Sequence, residues 1–130
     1  MVVELKSYLC GEWKAGTGKA ATLSNPATGE ALAQASSAGL DLKAALAFAR
    51  EVGGPALRQL TFAQRGEILT KLATLMHKNR DALIELGVKN AGNTRGDAKF
   101  DVDGAAAVLA YYGEFAKTLP AKGHWIPDGG

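Results

Sequence analysis

The residues that could carry chemistry are few and far apart. Cys10 is the single cysteine, and the two histidines are His77 and His124. A nucleophilic cysteine needs a neighbouring base or a helix N-terminus to stabilise its thiolate, whereas Cys10 is predicted to lie mid-strand between Leu9 and Gly11. We therefore interpret Cys10 as a small buried hydrophobe. The distant histidines have no Cys or carboxylate at ligand spacing, so the sequence predicts no zinc site.

The segment Gly16–Lys19 reads Gly-Thr-Gly-Lys and could be taken for a phosphate-binding loop. A P-loop needs a glycine five positions before its Gly-Lys, where this chain has Trp13, and Ser or Thr after the lysine, where it has Ala20. A dinucleotide-binding loop leads from a strand into a helix, but more strand is predicted here. The sequence therefore predicts a hairpin turn.

Three carboxylates, Asp97, Asp101 and Asp103, are close in sequence. On a helix the first two share a face while Asp103 points away, which favours a solvated surface over a pair for acid–base catalysis. His77 is expected near a helix end, where it would interact favourably with the helix dipole. In the pair Tyr111–Tyr112, one ring is expected in the core and the other at a surface. None of these residues predicts an active site.

The composition is that of a soluble protein. Of the 130 residues, 47% are hydrophobic and 22% charged, and the net charge of +2 with scattered basic residues gives no indication of nucleic acid or an anionic membrane as partner. No apolar run approaches the roughly 20 residues of a membrane-spanning helix. The start of the chain has no signal-peptide pattern, and a single cysteine allows no internal disulfide. We therefore expect a cytoplasmic protein.

The elements that would position these residues change character near residue 40. Short strands are predicted over residues 5–13, 21–24 and 31–37, with a turn at Asn25–Glu30 where proline fixes φ and glycine accepts a positive φ. This β-meander is too thin to bury a core by itself. Because the order is not βαβαβ, the chain alone is predicted to form no parallel sheet.

Four helical segments are predicted after the strands. Asp41 can cap the first, which is expected to end at Gly53–Gly54 with Pro55 preventing its continuation. Thr61 and Gln64 have the spacing of a capping box for the second segment.

The last two helical segments follow a predicted break at Asn79. The third covers residues 81–88 and ends at a loop over residues 91–93. Thr94 can cap the fourth, which is expected to run to about Lys117.

Helical periodicity predicts which side chains are buried. In the second helix these are Phe62, Ile68, Leu69, Leu72, Leu75 and Met76, with Arg65, Lys71 and Lys78 left to solvent or partners. In the last helix they are Val102, Ala105, Ala106, Val108, Leu109, Tyr112 and Phe115. Several faces are apolar, so the segment is expected to pack on something larger.

Five segments, in order, resemble the N-terminal region of the aldehyde dehydrogenase superfamily over about residues 5–119. They are Tyr8–Trp13 with its Gly-Glu-Trp, Asn25–Glu30 with its Asn-Pro-Ala-Thr-Gly-Glu turn, Leu46–Arg50, Gln64–Ala73 and Val108–Tyr112. The resemblance implies an α/β fold: a short meander and about four helices that pack on a Rossmann-like cofactor domain not contained in this chain. It also implies that residues 1–119 are the N-terminal portion of the cofactor-binding domain, and that 120–130 are a turn-rich segment leading onward.

Members of that superfamily oxidise an aldehyde through a thiohemiacetal on a cysteine, transfer hydride to NAD(P), and release the acid with a glutamate as base. Their catalytic and cofactor-binding residues lie beyond the region that this chain resembles. We therefore assign no catalytic, cofactor-binding or metal-binding residue here, and expect NADP or NAD to be bound outside this chain. Some members hold a monovalent cation with an acidic residue near the position of Lys89, so the lysine argues against such a site.

Within the superfamily the chain is similar to the branch of 3,4-dehydroadipyl-CoA semialdehyde dehydrogenases, chiefly over residues 55–65, 87–96 and 101–112. This implies oxidation of a CoA-linked semialdehyde in the degradation of aromatic compounds, by a homodimer or homotetramer in which the 130-residue segment alone is inactive. Two alternatives remain open. One is a bifunctional ring-opening enzyme of phenylacetate degradation, with a fused hydratase domain; the other is a stand-alone helical interaction module.

Overall fold

The computed structural model describes residues 2–121. The predictions that concern His124 and the tail from residue 122 onward lie outside the described residues. Within them, short strands precede a series of helices, as predicted.

Five short strands form two separate sheets. They are β1 (Val3–Glu4), β2 (Ser7–Leu9), β3 (Glu12–Lys14), β4 (Ala21–Ser24) and β5 (Ala31–Ala35). β2 and β3 pair as an antiparallel hairpin, while β5 lies between β1 and β4. The prediction that no parallel sheet forms is wrong, because β1 runs parallel to β5 with Val3 opposite Ala33. The hairpin and β4 together provide the long connection that parallel pairing requires.

Cys10 lies in the turn of the β2–β3 hairpin and not within a strand. Leu9 pairs with Glu12, so only Cys10 and Gly11 form the loop. Their φ angles of 53° and 86° are both positive, as in the type I′ turn whose twist matches that of the flanking strands. The cysteine is half-buried. The prediction of a buried mid-strand residue is therefore wrong.

Replacing Cys10 with asparagine is expected to stabilise the hairpin. A non-glycine residue at positive φ is strained, and asparagine tolerates this conformation better than cysteine does. We expect a gain of roughly 0.5 kcal/mol in the free energy of unfolding, measured by urea titration of a polypeptide that joins this chain to the cofactor domain implied by the family resemblance. Cys10→Val is the control: a β-branched side chain at φ 53° should lower stability. Equal stability of the two variants would show that the residue is not left-handed.

The segment Gly16–Lys19 connects β3 to β4, which belong to different sheets, so the hairpin-turn prediction is wrong. The backbone of this segment packs against the residues that follow β5. The Thr17 N–H donates to the Ala38 carbonyl at 2.9 Å, and a Cβ on Gly16 would collide with the Ser36 carbonyl. Because a strand follows this segment, it lacks the helix N-terminus that dinucleotide phosphates use.

The Asn25–Glu30 turn has the predicted form. The Asn25 side-chain oxygen accepts hydrogen bonds from the N–H groups of Ala27 at 2.9 Å and Thr28 at 3.3 Å, and Gly29 has φ 75°. A Cβ on Gly92 would lie 2.8 Å from Pro26, so this turn contacts the loop before the last helix. The contact ties the strands to the helical part.

The helical part has four continuous segments, in agreement with the prediction. They are α1 (Leu42–Phe48) with a π-helical turn (Ala49–Gly53) and α2 (Gly54–Arg58), then α3 (Phe62–Lys78), α4 (Arg80–Ala91), and α5 (Arg95–Phe115) followed by a 3₁₀ turn (Ala116–Thr118).

The first segment does not end at Gly53–Gly54 as predicted. Both glycines are right-handed helical, and the Gly54 N–H donates to the Ala49 carbonyl, five residues back. Pro55 stands in the first turn of α2, a position that suits its fixed φ. The π-helical turn therefore carries the chain through a sequence that normally ends a helix.

The predicted caps are confirmed. The Thr61 hydroxyl accepts from the Gln64 N–H at 3.2 Å, and the Gln64 side chain accepts from the Thr61 N–H at 2.8 Å. The Thr94 hydroxyl accepts from the Asp97 N–H at 3.2 Å. Asn79 separates α3 from α4 with φ −102°.

Helices α3 and α5 approach closely through small residues. Gly66 and Gly113 are both buried, and a Cβ on Gly66 would lie 2.6 Å from both the Gly113 carbonyl oxygen and the Ala116 Cβ. This contact, and not the large side chains, decides which helix faces meet.

The predicted burial of the large side chains is therefore wrong in part. In α3, Phe62, Leu69 and Met76 are half-buried, but Ile68, Leu72 and Leu75 are 45–56% exposed. In α5, Val102, Ala106 and Leu109 are half-buried, whereas Ala105, Val108, Tyr112 and Phe115 are exposed. Among residues 2–121 the buried hydrophobic residues are Ala33, Ala73, Ile84, Ala98 and Ala116.

Candidate functional site

Within residues 2–121, the cysteine and the histidine that could carry chemistry lie in different elements. Cys10 is in the hairpin turn, while His77 is exposed in the last turn of α3, next to the helix C-terminus as predicted. Across residues 2–121, no group of three or more His, Cys, Asp and Glu side chains is placed to hold a metal ion.

Each of the three clustered carboxylates has a different partner. The Asp97 carboxylate accepts from the Thr94 hydroxyl at 2.7 Å, and Asp101 accepts from the Asn93 amide at 3.3 Å. Asp103 is bound to Arg80. Capping, loop closure and ion pairing therefore account for the three side chains, and they form no catalytic pair.

The ion pair of Arg80 and Asp103 joins the start of α4 to the middle of α5. The guanidinium donates twice, with Nε 2.6 Å from Oδ1 and Nη2 2.8 Å from Oδ2. This two-pronged geometry is the strongest that Arg and a carboxylate form. The hydrogen bond from Arg80 lowers the pKa of Asp103, and the same bond raises the pKa of Arg80. No motif or spacing in the sequence indicated this pair.

The pair predicts a small loss of stability in acid. Because the folded-state pKa of Asp103 is lowered, its contribution is complete above the ordinary pKa of an aspartate. The contribution disappears as the pH falls below that value and through the lowered one. Urea unfolding at neutral and acidic pH should show a larger acid-induced loss for the native sequence than for Asp103→Asn. Equal losses would show that the pair adds no pH-dependent stability.

Lys89 forms an ion pair with a residue of its own helix. Its ammonium lies 3.2 Å from the Glu85 carboxylate, which also faces the Arg95 guanidinium at 3.6 Å. These charges are about half exposed, where single ion pairs contribute little stability. Lys89 is therefore part of a surface ion-pair network with Glu85 and Arg95.

Arg65, which was predicted to face solvent or partners, is half-buried and has partners within the chain. Its Nε donates to the Leu57 carbonyl at 3.1 Å, and its guanidinium carbon lies 5.4 Å from the centre of the Phe62 ring. Arg65 therefore fastens the end of α2 to the first turn of α3.

The main chemical feature of the described residues is their uncovered apolar surface. Among residues 2–121, twenty large hydrophobic side chains are exposed, whereas Ile84 is the one large side chain that is almost fully buried. Monomeric proteins rarely leave large contiguous apolar patches in water, and such patches mark binding surfaces.

One apolar surface lies on the side of α5 that does not pack against α3. It faces away from buried Ala98, Gly113 and Ala116, and we call it the outer α5 face. Its large members are Phe100, Val108, Tyr111 and Phe115, which are 45–80% exposed. Tyr111 stacks on Phe115 with ring centres 6.1 Å apart. A helix that is apolar on opposite sides is normally enclosed on both.

The prediction that one ring of the tyrosine pair lies in the core is wrong. Tyr111 and Tyr112 are 63% and 53% exposed, and their rings meet edge to face at 5.2 Å. Neither ring is in a core, because the buried line of α5 runs through its small residues.

Two further apolar surfaces lie on the strands and on α3. A groove of about 540 Å³ between the three-stranded sheet and α4 is lined largely by Val3, Leu5, Leu23, Leu32, Ala33 and Leu86. On α3, Ile68, Leu72 and Leu75 form a stripe at helical spacing, here called the α3 stripe. Both leave large apolar side chains exposed.

No helix in the described part of the chain combines the length and hydrophobicity needed to cross a bilayer.

Sequence comparison places this arrangement among known proteins. The profile of the aldehyde dehydrogenase family matches residues 13–129. The chain is 41% identical to the 3,4-dehydroadipyl-CoA semialdehyde dehydrogenase of Aromatoleum evansii over 98% of its own length. It is 32% identical to the NADP(+) succinate-semialdehyde dehydrogenase of Escherichia coli (strain K12) over 88% of its length. It spans 25% of the first protein and 24% of the second.

Solved structures show the same fold. The chain superimposes on 3,6-anhydro-L-galactose dehydrogenase, solved in complex with NAP, with a TM-score of 0.78 and 28% identity, covering 89% of this chain and 24% of that one. An NADP-dependent enzyme of E. coli gives a TM-score of 0.76 with 29% identity, covering 86% of this chain and 24% of that one. Because the family profile matches residues 13–129, the chain belongs to the aldehyde dehydrogenase family.

Proposed function

We propose that this chain is the amino-terminal quarter of an NAD(P)-dependent aldehyde dehydrogenase that oxidises a CoA-linked semialdehyde to the acid. The substrate we propose is 3,4-dehydroadipyl-CoA semialdehyde, formed in the breakdown of aromatic compounds. Support comes from 41% identity over nearly the whole chain to a relative of that name. NADP is the proposed cofactor, since the E. coli relative carries it in its name.

One structural observation carries the proposal that the chain works as part of a longer polypeptide. The outer α5 face, the α3 stripe and the groove beside α4 are all apolar and uncovered. The relatives are about four times as long as the matched segment, which covers 24–25% of them. We propose that the rest of such a polypeptide covers these surfaces, and that residues 1–119 contribute to its cofactor-binding domain.

We propose that the catalytic and cofactor-binding residues lie outside this chain. A dehydrogenase of this family needs a thiolate nucleophile, a base and a nicotinamide site held together. Within residues 2–121, Cys10 is in a hairpin turn at the strand end, and His77 is on the surface of α3. The role proposed for these residues is structural, in a cytoplasmic homodimer or homotetramer.

The activity is tested with the longer polypeptide, NADP⁺ and 3,4-dehydroadipyl-CoA semialdehyde. The expected result is aldehyde-dependent formation of NADPH, followed by its absorbance, with lower kcat/KM for succinate semialdehyde. The 130-residue chain in the same assay should give none. Failure of the longer polypeptide to reduce either nicotinamide cofactor with any semialdehyde would overturn the proposal.

Replacing Cys10 with serine in the longer polypeptide tests the assignment of the chemistry. Because the residue lies in a half-exposed turn, we expect kcat and KM to stay within about twofold of the native values, a difference below roughly 0.5 kcal/mol. Complete loss of turnover with an unchanged circular dichroism spectrum would identify Cys10 as the nucleophile and contradict the assignment.

A further inference from the structure

We draw no further inference here: the strongest candidate, the apolar outer face of α5 around Phe100 and Tyr111, belongs to the surfaces already proposed to be covered by the rest of the polypeptide, and nothing in the structure shows a second occupant.

Discussion

Replacing Gly113 with valine is expected to force α3 and α5 apart. A Cβ at this position would collide with the Thr70 hydroxyl and lie 3.0 Å from the Gly66 carbonyl oxygen. The hydroxyl is itself fixed by a hydrogen bond to that carbonyl at 3.1 Å, so neither neighbour can move away easily. Overpacking typically costs about 1–3 kcal/mol, and the blocked backbone places this substitution at the upper end or beyond. Urea unfolding of the longer polypeptide measures the loss.

Gly96→Ala provides the matched control on the same helix, at an exposed position that precedes the outer α5 face. A Cβ at this position meets only the Thr94 Oγ1, at an ordinary contact distance of 3.7 Å, and alanine favours a helix over glycine. The control should therefore be neutral or stabilising while Gly113→Val is strongly destabilising. If both substitutions had the same effect, the close approach of α3 to α5 would not exist.

Truncation of Ile84 to alanine is expected to remove the best-packed large side chain of the described residues. Ile84 is only 2% exposed, and it lies on α4, which packs against α5. Removing buried methyl groups leaves a cavity, and such truncations cost about 2–5 kcal/mol. The expected result is a lower urea midpoint for the longer polypeptide with an unchanged denaturant slope. A loss below about 1 kcal/mol in the free energy of unfolding would contradict this burial.

Leu86→Ala, two residues further along α4, is expected to have different effects on the stability of the chain alone and of the longer polypeptide. Leu86 is 61% exposed and lines the groove beside the sheet. In the chain alone its truncation should leave the loss of helical circular dichroism on heating unchanged. In the longer polypeptide the proposed cover makes Leu86 a core residue, and the same change should cost about 2 kcal/mol or more. Equal, negligible effects in both would show that the groove stays open.

Local features of the fold could be predicted from the sequence because their causes are local. The Thr61–Gln64 capping box and the Asn25 turn each depend on side chains within a few residues of the backbone groups that they satisfy. The end predicted at Gly53–Gly54 was wrong because a π-helical turn ending at Gly53 leads directly into α2, which begins with Gly54 and Pro55. No short-range pattern indicates such a turn.

Burial could not be predicted in the same way, since it depends on which helix faces meet. Periodicity identified Leu72, Val108 and Phe115 as apolar positions, but Gly66 and Gly113 decide the contact between α3 and α5. The Arg80–Asp103 pair joins residues 23 positions apart and has no sequence signature. The assignment of no catalytic residue to this chain rests on the family resemblance and stays a prediction.

Six of the large side chains that the periodicity predicted to be buried are exposed: Ile68, Leu72, Leu75, Val108, Tyr112 and Phe115. Both α3 and α5 have apolar residues on several sides. This pattern is typical of a helix that is covered on several sides. The disagreement between pattern and exposure at Ile68, Leu75 and Tyr112 is therefore itself evidence for a cover. It gives the proposed longer polypeptide a physical basis that is independent of the sequence comparisons.

The most direct test compares the purified 130-residue chain with the longer polypeptide by fluorescence of an apolar-surface dye during a thermal scan, with sedimentation to give the state of association. For the chain alone we predict strong dye binding before any transition, self-association and a broad loss of structure, and for the longer polypeptide little dye binding until a sharp transition. A chain that is monomeric, binds no dye and melts sharply by itself would contradict the account.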